Sequence, residues 1–108
     1  MIQAGELRNR GEFQRITDYS AIDTEGDWTA YATAWAKIEP TGGREYVEGR
    51  KVQAETTHML KTRFISGVRP DMRFVHEGRV FKIVYAYNVD ERNRELMIEC
   101  TEETDNNG

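Results

Sequence analysis

The sequence is poor in cysteine and proline, and it has no long apolar run. A single cysteine, Cys100, among 108 residues excludes an internal disulfide. Cys100 lies in an alternating segment, which predicts a buried thiol rather than a nucleophile. No run approaches the roughly 20 apolar residues of a membrane helix, and the first residues lack the apolar segment of a signal peptide. These absences predict an intracellular protein without a membrane partner.

The residue patterns of catalytic and metal sites are also missing. His58 and His76 lie on separate segments, with no cysteine or carboxylate at metal-ligand spacing. The glycine-containing segment TGGR at 41–44 is not followed by the lysine of a phosphate-binding loop, and it lacks the strand-to-helix context of such a loop. The glutamates at 99–103 indicate a solvated chain end, because paired catalytic carboxylates need a cleft. We therefore expect no enzyme activity, no cofactor and no metal.

Charge is distributed unevenly along the chain. The formal net charge of −4 divides into −3 for residues 1–43, +4 for 44–82 and −5 for 83–108. Such asymmetry suits a molecule that docks to copies of itself or to a complementary ring. A solvated surface with uneven charge would give the same pattern. The acidic balance disfavours a dedicated nucleic-acid binder.

Alternation with a period of two is the main structural signal. Residues 72–100 predict strand, turn, long strand, turn and strand, with Gly78 in the first turn. In the long strand, one parity is apolar enough to predict that it faces the core. Its members are Phe81, Ile83, Tyr85, Tyr87 and Val89.

The remaining segments complete a mainly β domain. Residues 28–39 and 56–65 also alternate, whereas residues 44–54 offer a weak helical face interrupted by Gly49. We predict a small β-barrel or sandwich of about six antiparallel strands, with one short helix in a long inter-strand connection. The single domain would span residues 1–101, and 102–108 would form a disordered acidic tail.

Aromatic residues leave one alternative function open. A small barrel that binds single-stranded nucleic acid could stack bases on aromatic side chains beside lysines. The candidate residues are Tyr31, Trp35, Tyr85, Tyr87, Lys37 and Lys82. Packing in the core is a simpler explanation for most of these aromatic residues. The negative net charge disfavours free nucleic acid as the main partner.

A series of short motifs in a fixed order carries a family resemblance. The motifs are WAKIEP at 35–40, GREY at 43–46, VQAE with TH at 52–58, RPDMR at 69–73, GRVFKI at 78–83 and DERNREL at 90–96. In this order and spacing, the chain resembles the head-tail joining protein family of long-tailed bacteriophages, the head-closure or stopper proteins. The resemblance covers residues 5–102.

The resemblance implies a β-barrel protomer that forms a ring beneath the portal and adaptor. Such a ring would close the DNA exit channel after packaging and dock the tail. It implies a structural virion protein, made in the host cytoplasm and located at the head-tail junction. The implied partners are other copies of the chain, portal and adaptor proteins, tail proteins and packaged double-stranded DNA. A tail-completion protein at the same junction is an alternative.

The connection at residues 41–54 is the candidate functional segment. It could project into the channel and face DNA phosphates, through Arg44, Arg50 and Lys51. Equally, it could pack on a neighbouring subunit, with an assembly interface formed by Tyr46, Val47 and Val52. Unpaired edge strands would also be available to ring neighbours.

Overall fold

The protein is a closed six-stranded antiparallel barrel with a small hairpin on its outer surface. We describe residues 7–16 and 28–103 of the computed structural model. The strands are β1 (Asn9–Ile16), β2 (Trp28–Pro40), β3 (Tyr46–Val47), β4 (Arg50–Lys51), β5 (His58–Arg63), β6 (Arg73–His76), β7 (Arg79–Asn88) and β8 (Glu95–Glu103). The barrel order is β1-β2-β5-β8-β7-β6, and β3 pairs with β4. The predicted mainly β architecture is confirmed, as a barrel.

The barrel closes through a short contact between β1 and β6. Only three residue pairs join these strands, centred on Phe13 opposite Phe74. The two rings lie 4.9 Å apart between centroids, and Arg73 Nε donates a hydrogen bond of 2.7 Å to Gln14 Oε1. Every barrel strand thus has two neighbours, but among the described residues 28–35 of β2 and 84–88 of β7 pair on one side only. The expectation of strand edges available to ring neighbours stays a prediction for these two stretches.

Side chains from all six barrel strands fill the interior. Ala34, Ala36 and Ile38 of β2 point inward, so the small residues of that strand let the opposite wall come close. The buried core consists of Phe13, Ala36, Leu60, Met72, Phe74, Phe81, Ile83, Leu96, Ile98 and Cys100. The predicted burial of Cys100 is confirmed, and burial raises the pKa of its thiol to about 12.

A β-bulge changes the direction of the side chains halfway along β7. Ile83 pairs with Cys100 but Tyr85 pairs with Glu99, so one extra residue, Val84, stands in β7. Phe81 and Ile83 precede the bulge and point into the core, as predicted. Beyond it the inward parity is reversed: Ala86 faces the core, and Tyr85 is 47% exposed. The prediction that Tyr85, Tyr87 and Val89 share the core face is wrong for this reason.

The predicted short helix is a β-hairpin. Strands β3 and β4 are joined by Glu48 and Gly49, whose φ angles are 49° and 80°. Two left-handed residues in succession are the signature of a two-residue hairpin turn. The amide of Val52 then donates to the carbonyl of Glu45 at 2.8 Å and extends the pairing. Gly49 is therefore a turn residue rather than a weak point in a helix.

The C-terminal boundary also differs from the prediction. Strand β8 continues to Glu103, two residues past the predicted domain end. Arg79 forms two hydrogen bonds with Glu102, and Lys82 pairs with Glu103 at 3.3 Å. The rest of the predicted disordered tail lies outside the described residues.

We predict that Gly11→Ala lowers the free energy of unfolding by about 2 kcal/mol, within the range for overpacked sites. A Cβ at Gly11 would collide with the Phe74 ring and with the Val75 carbonyl oxygen, which belongs to the backbone of β6. Urea denaturation measures the change.

Gly42→Asn is the control for that variant. Gly42 has a φ of 64°, which asparagine tolerates, and nothing lies within 4 Å of a Cβ placed there. Its stability should stay within about 0.5 kcal/mol of the parent. Equal stability of the parent and Gly11→Ala would show that the seam between β1 and β6 is loosely packed.

Candidate functional site

The candidate connection, predicted at residues 41–54, extends to residue 57 in the structure, and it leaves and rejoins the barrel at one point. Thr41 is 2% exposed, and its amide donates to the Thr57 carbonyl at 2.9 Å. The Thr41 hydroxyl donates to the same carbonyl at 3.1 Å. The Thr57 amide in turn donates to the carbonyl of Cys100 at 2.9 Å, which ties the crossing to β8. We call these three hydrogen bonds the clamp, because they hold the two ends of the connection together on the barrel.

Above the clamp, the connection covers an apolar patch on the outside of the barrel. Val47 and Val52 pack on Met59 of β5 and Met97 of β8, and all four side chains are buried. Tyr87 and Val89 adjoin this second cluster because the bulge in β7 turned them outward. The connection therefore rests on its own barrel in the isolated chain.

A buried carboxylate fixes the returning half of the connection. Glu99 of β8 is 2% exposed. Its Oε1 accepts hydrogen bonds from the Gln53 amide at 2.8 Å and from the Thr56 hydroxyl at 3.0 Å. On the other half, Lys61 Nζ lies 2.9 Å from Glu48 Oε2. The sequence did not indicate this role for Glu99. Its position near the other glutamates at 99–103 predicted a solvated side chain instead.

The three residues predicted to face DNA are all exposed on this connection. Arg44 donates a hydrogen bond from Nε to the Thr41 carbonyl at 2.8 Å, so its guanidinium group stabilises the turn at residues 41–44. The Arg50 guanidinium lies 4.0 Å from the centre of the Tyr87 ring, a cation–π contact. Lys51 pairs by its backbone with Tyr46. The three residues therefore share one exposed segment. The guanidinium groups of Arg44 and Arg50 already contact the Thr41 carbonyl and the Tyr87 ring.

The three residues predicted to form an assembly interface are divided by the hairpin. Val47 and Val52 are 6% and 8% exposed, and they fill the second cluster. Tyr46 points the other way and is 58% exposed. Of the three, Tyr46 alone offers its side chain to a partner without rearrangement.

Two other large aromatic side chains are exposed on opposite sides of the barrel. Trp35 of β2 is 53% exposed and Tyr85 of β7 is 47% exposed. In the barrel order, β2 and β7 are three strands apart in either direction. Tyr31 is occupied by a hydrogen bond of 2.7 Å to the Ser66 carbonyl, and Tyr87 by Arg50. The aromatics proposed for base stacking therefore do not share one surface.

A histidine lies at the end of the barrel where the connection is clamped. Burial lowers the pKa of His58; Glu102, 3.7 Å away, raises it, and Arg79 lowers it. The edge of the imidazole meets Phe81, and Nδ1 is 2.9 Å from the Thr57 hydroxyl. Hydrogen bonding to Arg79 lowers the pKa of Glu102. The folded protein thus disfavours protonation of His58, although a carboxylate lies 3.7 Å away, because the ring is partly buried and that carboxylate is already bound to Arg79.

In the part of the chain that the structure describes, no cluster of three or more His, Cys, Asp or Glu residues could hold a metal ion. Within the same residues, no helix has the length and apolar character needed to cross a membrane.

Comparison with known proteins assigns the family. The profile of the phage head completion proteins matches residues 2–103. The chain belongs to the phage head completion protein family. It is therefore a structural component of the virion, as the motif order predicted.

A solved structure shares the fold of this head completion protein. It is described as "Virion of native gene transfer agent (GTA) particle", and the superposition has a TM-score of 0.62 at 19% identity. It covers 92% of this chain and 97% of the other. No curated protein matches the sequence.

Tyr87→Phe should raise the free energy of unfolding of this head completion protein by about 1 kcal/mol. The Tyr87 hydroxyl is buried, and among the described residues it has no hydrogen-bond partner. Burial raises the pKa of Tyr87 to about 12, so the group stays protonated. Phenylalanine keeps the ring under Arg50 and removes the unpaired hydroxyl. Thermal and urea unfolding measure the gain.

Tyr31→Phe is the matched control for Tyr87→Phe. Here the lost hydroxyl donates to the Ser66 carbonyl, so stability should fall by about 1 kcal/mol. A loss of stability in Tyr87→Phe as well would mean that the Tyr87 hydroxyl has a partner in solution.

Stability should fall as pH drops below 6.5, the ordinary pKa of histidine, in part because of His58. Since the folded protein lowers the pKa of His58, the unfolded chain binds this proton first, and protonation favours unfolding. The stabilisation that comes from neutral His58 is fully present above pH 6.5. It is lost as the pH falls toward the lower pKa that His58 has in the folded protein. His58→Gln should flatten the dependence in urea titrations between pH 7 and 5.5. An unchanged slope would contradict the assignment to His58.

Proposed function

We propose that this head completion protein forms a ring at the head-tail junction. The ring lies below the portal and adaptor, closes the DNA exit channel after packaging and docks the tail. Its partners are neighbouring copies, portal and adaptor proteins, tail proteins and the packaged double-stranded DNA. The protein acts by assembly and rearrangement, without turnover.

The observation that carries the ring proposal is the position of the exposed aromatics. A ring forms when one side of a subunit binds a different side of the next. Trp35 and Tyr85 give the closed barrel two unlike aromatic sides on opposite strands. Tryptophan and tyrosine are enriched among the residues that dominate binding energy at interfaces. These two side chains would make the contact, and Trp35 and Tyr85 each stand in a stretch that pairs on one side only among the described residues.

The connection at residues 41–57 is the proposed moving part. Arg44, Arg50 and Lys51 would face the channel once neighbouring copies fix its direction, and Tyr46 would contact a neighbour. Val47 and Val52 would act indirectly, by holding the hairpin on the barrel. Opening for DNA release would be a rearrangement of this hairpin, biased by tail attachment.

The chemistry of the side chains supports a non-enzymatic role. The thiol of Cys100 is 0% exposed, and its raised pKa keeps the nucleophilic thiolate scarce. The buried carboxylate of Glu99 is occupied by two hydrogen bonds inside the fold. Both groups therefore serve the packing of the barrel and its connection.

We predict that the protein binds the portal-adaptor complex of its own phage as a ring, measured by light scattering. Trp35→Ala and Tyr85→Ala should each prevent ring formation, because each removes one side of the contact. An equal mixture of the two variants still contains one complete interface and should give a dimer. Glu77→Ala, at an exposed turn, is the control and should assemble normally.

Two results would contradict this proposal. Normal rings from both aromatic variants would remove these surfaces from the interface. A monomer that ignores the portal-adaptor complex, yet binds single-stranded DNA in a salt-sensitive way, would favour the alternative of a nucleic-acid-binding barrel.

A further inference from the structure

A cluster of arginines lies at the opposite end of the barrel from the clamp. Arg63, at the end of β5, and Arg92 and Arg94, in the turn between β7 and β8, line one depression of about 570 Å³. Arg63 is far from the other two in sequence, and the antiparallel pairing of β5 with β8 brings it beside them. None of them belongs to the connection considered above.

The cluster differs from most other arginines because the described residues provide no partner for its guanidinium groups. The sequence contains eleven arginines. In the described part of the chain, most are engaged with a carboxylate, a carbonyl or an aromatic ring, as Arg79 is with Glu102 and Arg73 with Trp28. The described residues provide no side-chain partner for Arg63, Arg92, Arg94 or Arg10. Three of these four guanidinium groups line the same depression.

The turn that carries two of these arginines contains three left-handed residues. Asp90, Glu91 and Asn93 have φ angles of 55°, 53° and 57°. Aspartate and asparagine tolerate this region, whereas Glu91 persists there only because its surroundings hold it. Here Asn88 holds the turn: its Oδ1 accepts the Asn93 amide at 3.0 Å, and its Nδ2 donates to Asn93 Oδ1 at 2.6 Å.

A backbone hydrogen bond joins the turn to β5. The Phe64 amide donates to the Arg94 carbonyl at 2.9 Å. This bond sets Arg63, the residue before Phe64, beside the arginines of the turn. The guanidinium groups are thus carried on a frame that is organised before any ligand arrives.

We propose that Arg63, Arg92 and Arg94 form a phosphate-binding site that contacts the sugar-phosphate backbone of double-stranded DNA. A guanidinium group can donate two parallel hydrogen bonds to phosphate oxygens, and the described residues leave all three groups available for this. Asp90 and Glu95 also line the depression and leave it one positive charge in excess. The choice of DNA rests on the proposed function, because that function places a duplex beside the ring.

Binding of a short DNA duplex to the isolated protein tests the site. Arg63→Gln, Arg92→Gln and Arg94→Gln together should weaken binding about tenfold or more at low salt, and should reduce the slope of log affinity against log salt by about 3. The control removes the same charge by Arg10→Gln, Arg15→Gln and Arg69→Gln, at residues that line neither the depression nor the connection. This control should keep its affinity within about a factor of three, because it removes only general attraction to the duplex.

A second variant separates geometry from charge. Asn88→Ala leaves the net charge unchanged but releases the turn, so it should also weaken duplex binding. Circular dichroism and thermal unfolding confirm that each variant keeps the barrel. Normal binding by Asn88→Ala, or an equal loss in both charge-removing triples, would show that general charge and not this site attracts DNA.

Other ligands and the particle itself complete the test. Inorganic phosphate should compete with the duplex at high concentration, and a polyglutamate peptide should compete poorly. Effective competition by the peptide would mean that the site takes an acidic protein segment; binding of phosphate without the duplex would identify a free phosphate site. Either result overturns the DNA proposal.

Particle analysis distinguishes this proposal from the proposed function. The Arg63, Arg92 and Arg94 variant should still enter virions but lose packaged DNA more readily. Normal DNA retention would overturn the role of the site in the particle and leave the ring intact. Absence of the unmodified protein from the head-tail junction would instead overturn the proposed function, whatever the isolated protein binds.

Discussion

The closed barrel depends on the short seam between β1 and β6. Three residue pairs connect these strands, whereas β7 and β8 are paired along most of their length. The seam is strengthened by close packing, because Phe13 and Phe74 are fully buried and Gly11 lets the Phe74 ring approach the backbone. Closure in turn gives every barrel strand two neighbours, although residues 28–35 of β2 and 84–88 of β7 are paired on one side alone among the described residues. Where a strand is paired on both sides, a partner must recognise side chains.

The bulge at Val84 gives one strand two different tasks. Its first half supplies Phe81 and Ile83 to the barrel interior, and its second half with the residue that follows it supplies Tyr87 and Val89 to the cluster under the connection. A regular strand would have put all four inside. The connection would then have had a smaller apolar surface to pack on. A one-residue insertion in the pairing therefore joins the barrel to the segment proposed to move.

Much of the fold could be predicted from alternation, and the exceptions have physical causes. Strands β2, β5 and β8 are long enough for a period of two to be visible, so their positions were predicted. The bulge was missed because Val84 is an ordinary strand residue, without the glycine or proline that would mark an irregularity. The hairpin was missed because β3 and β4 have two residues each, too few to show a period, and a helix-weakening glycine and a turn glycine look alike in sequence.

The surfaces were less predictable than the strands. Arg44, Arg50 and Lys51 stood out because they are close in the chain, and proximity in sequence gives no information on which groups are already engaged. The depression formed by Arg63, Arg92 and Arg94 could not be found in this way, since strand register brings its residues together. Motif order identified the family, yet it carried no information on whether Val47 and Val52 meet a neighbour or their own barrel.

The seam between β1 and β6 also has a consequence for the order of folding. It joins residues about sixty positions apart, so closing it costs more chain entropy than forming the adjacent hairpins of β6, β7 and β8. The C-terminal meander can assemble from local contacts, whereas β1 leaves the ribosome first and must wait for β6. Until then, Phe13 and the inner face of the sheet are exposed to water. The nascent protein is therefore most prone to aggregation in the interval before its first strand finds its last partner.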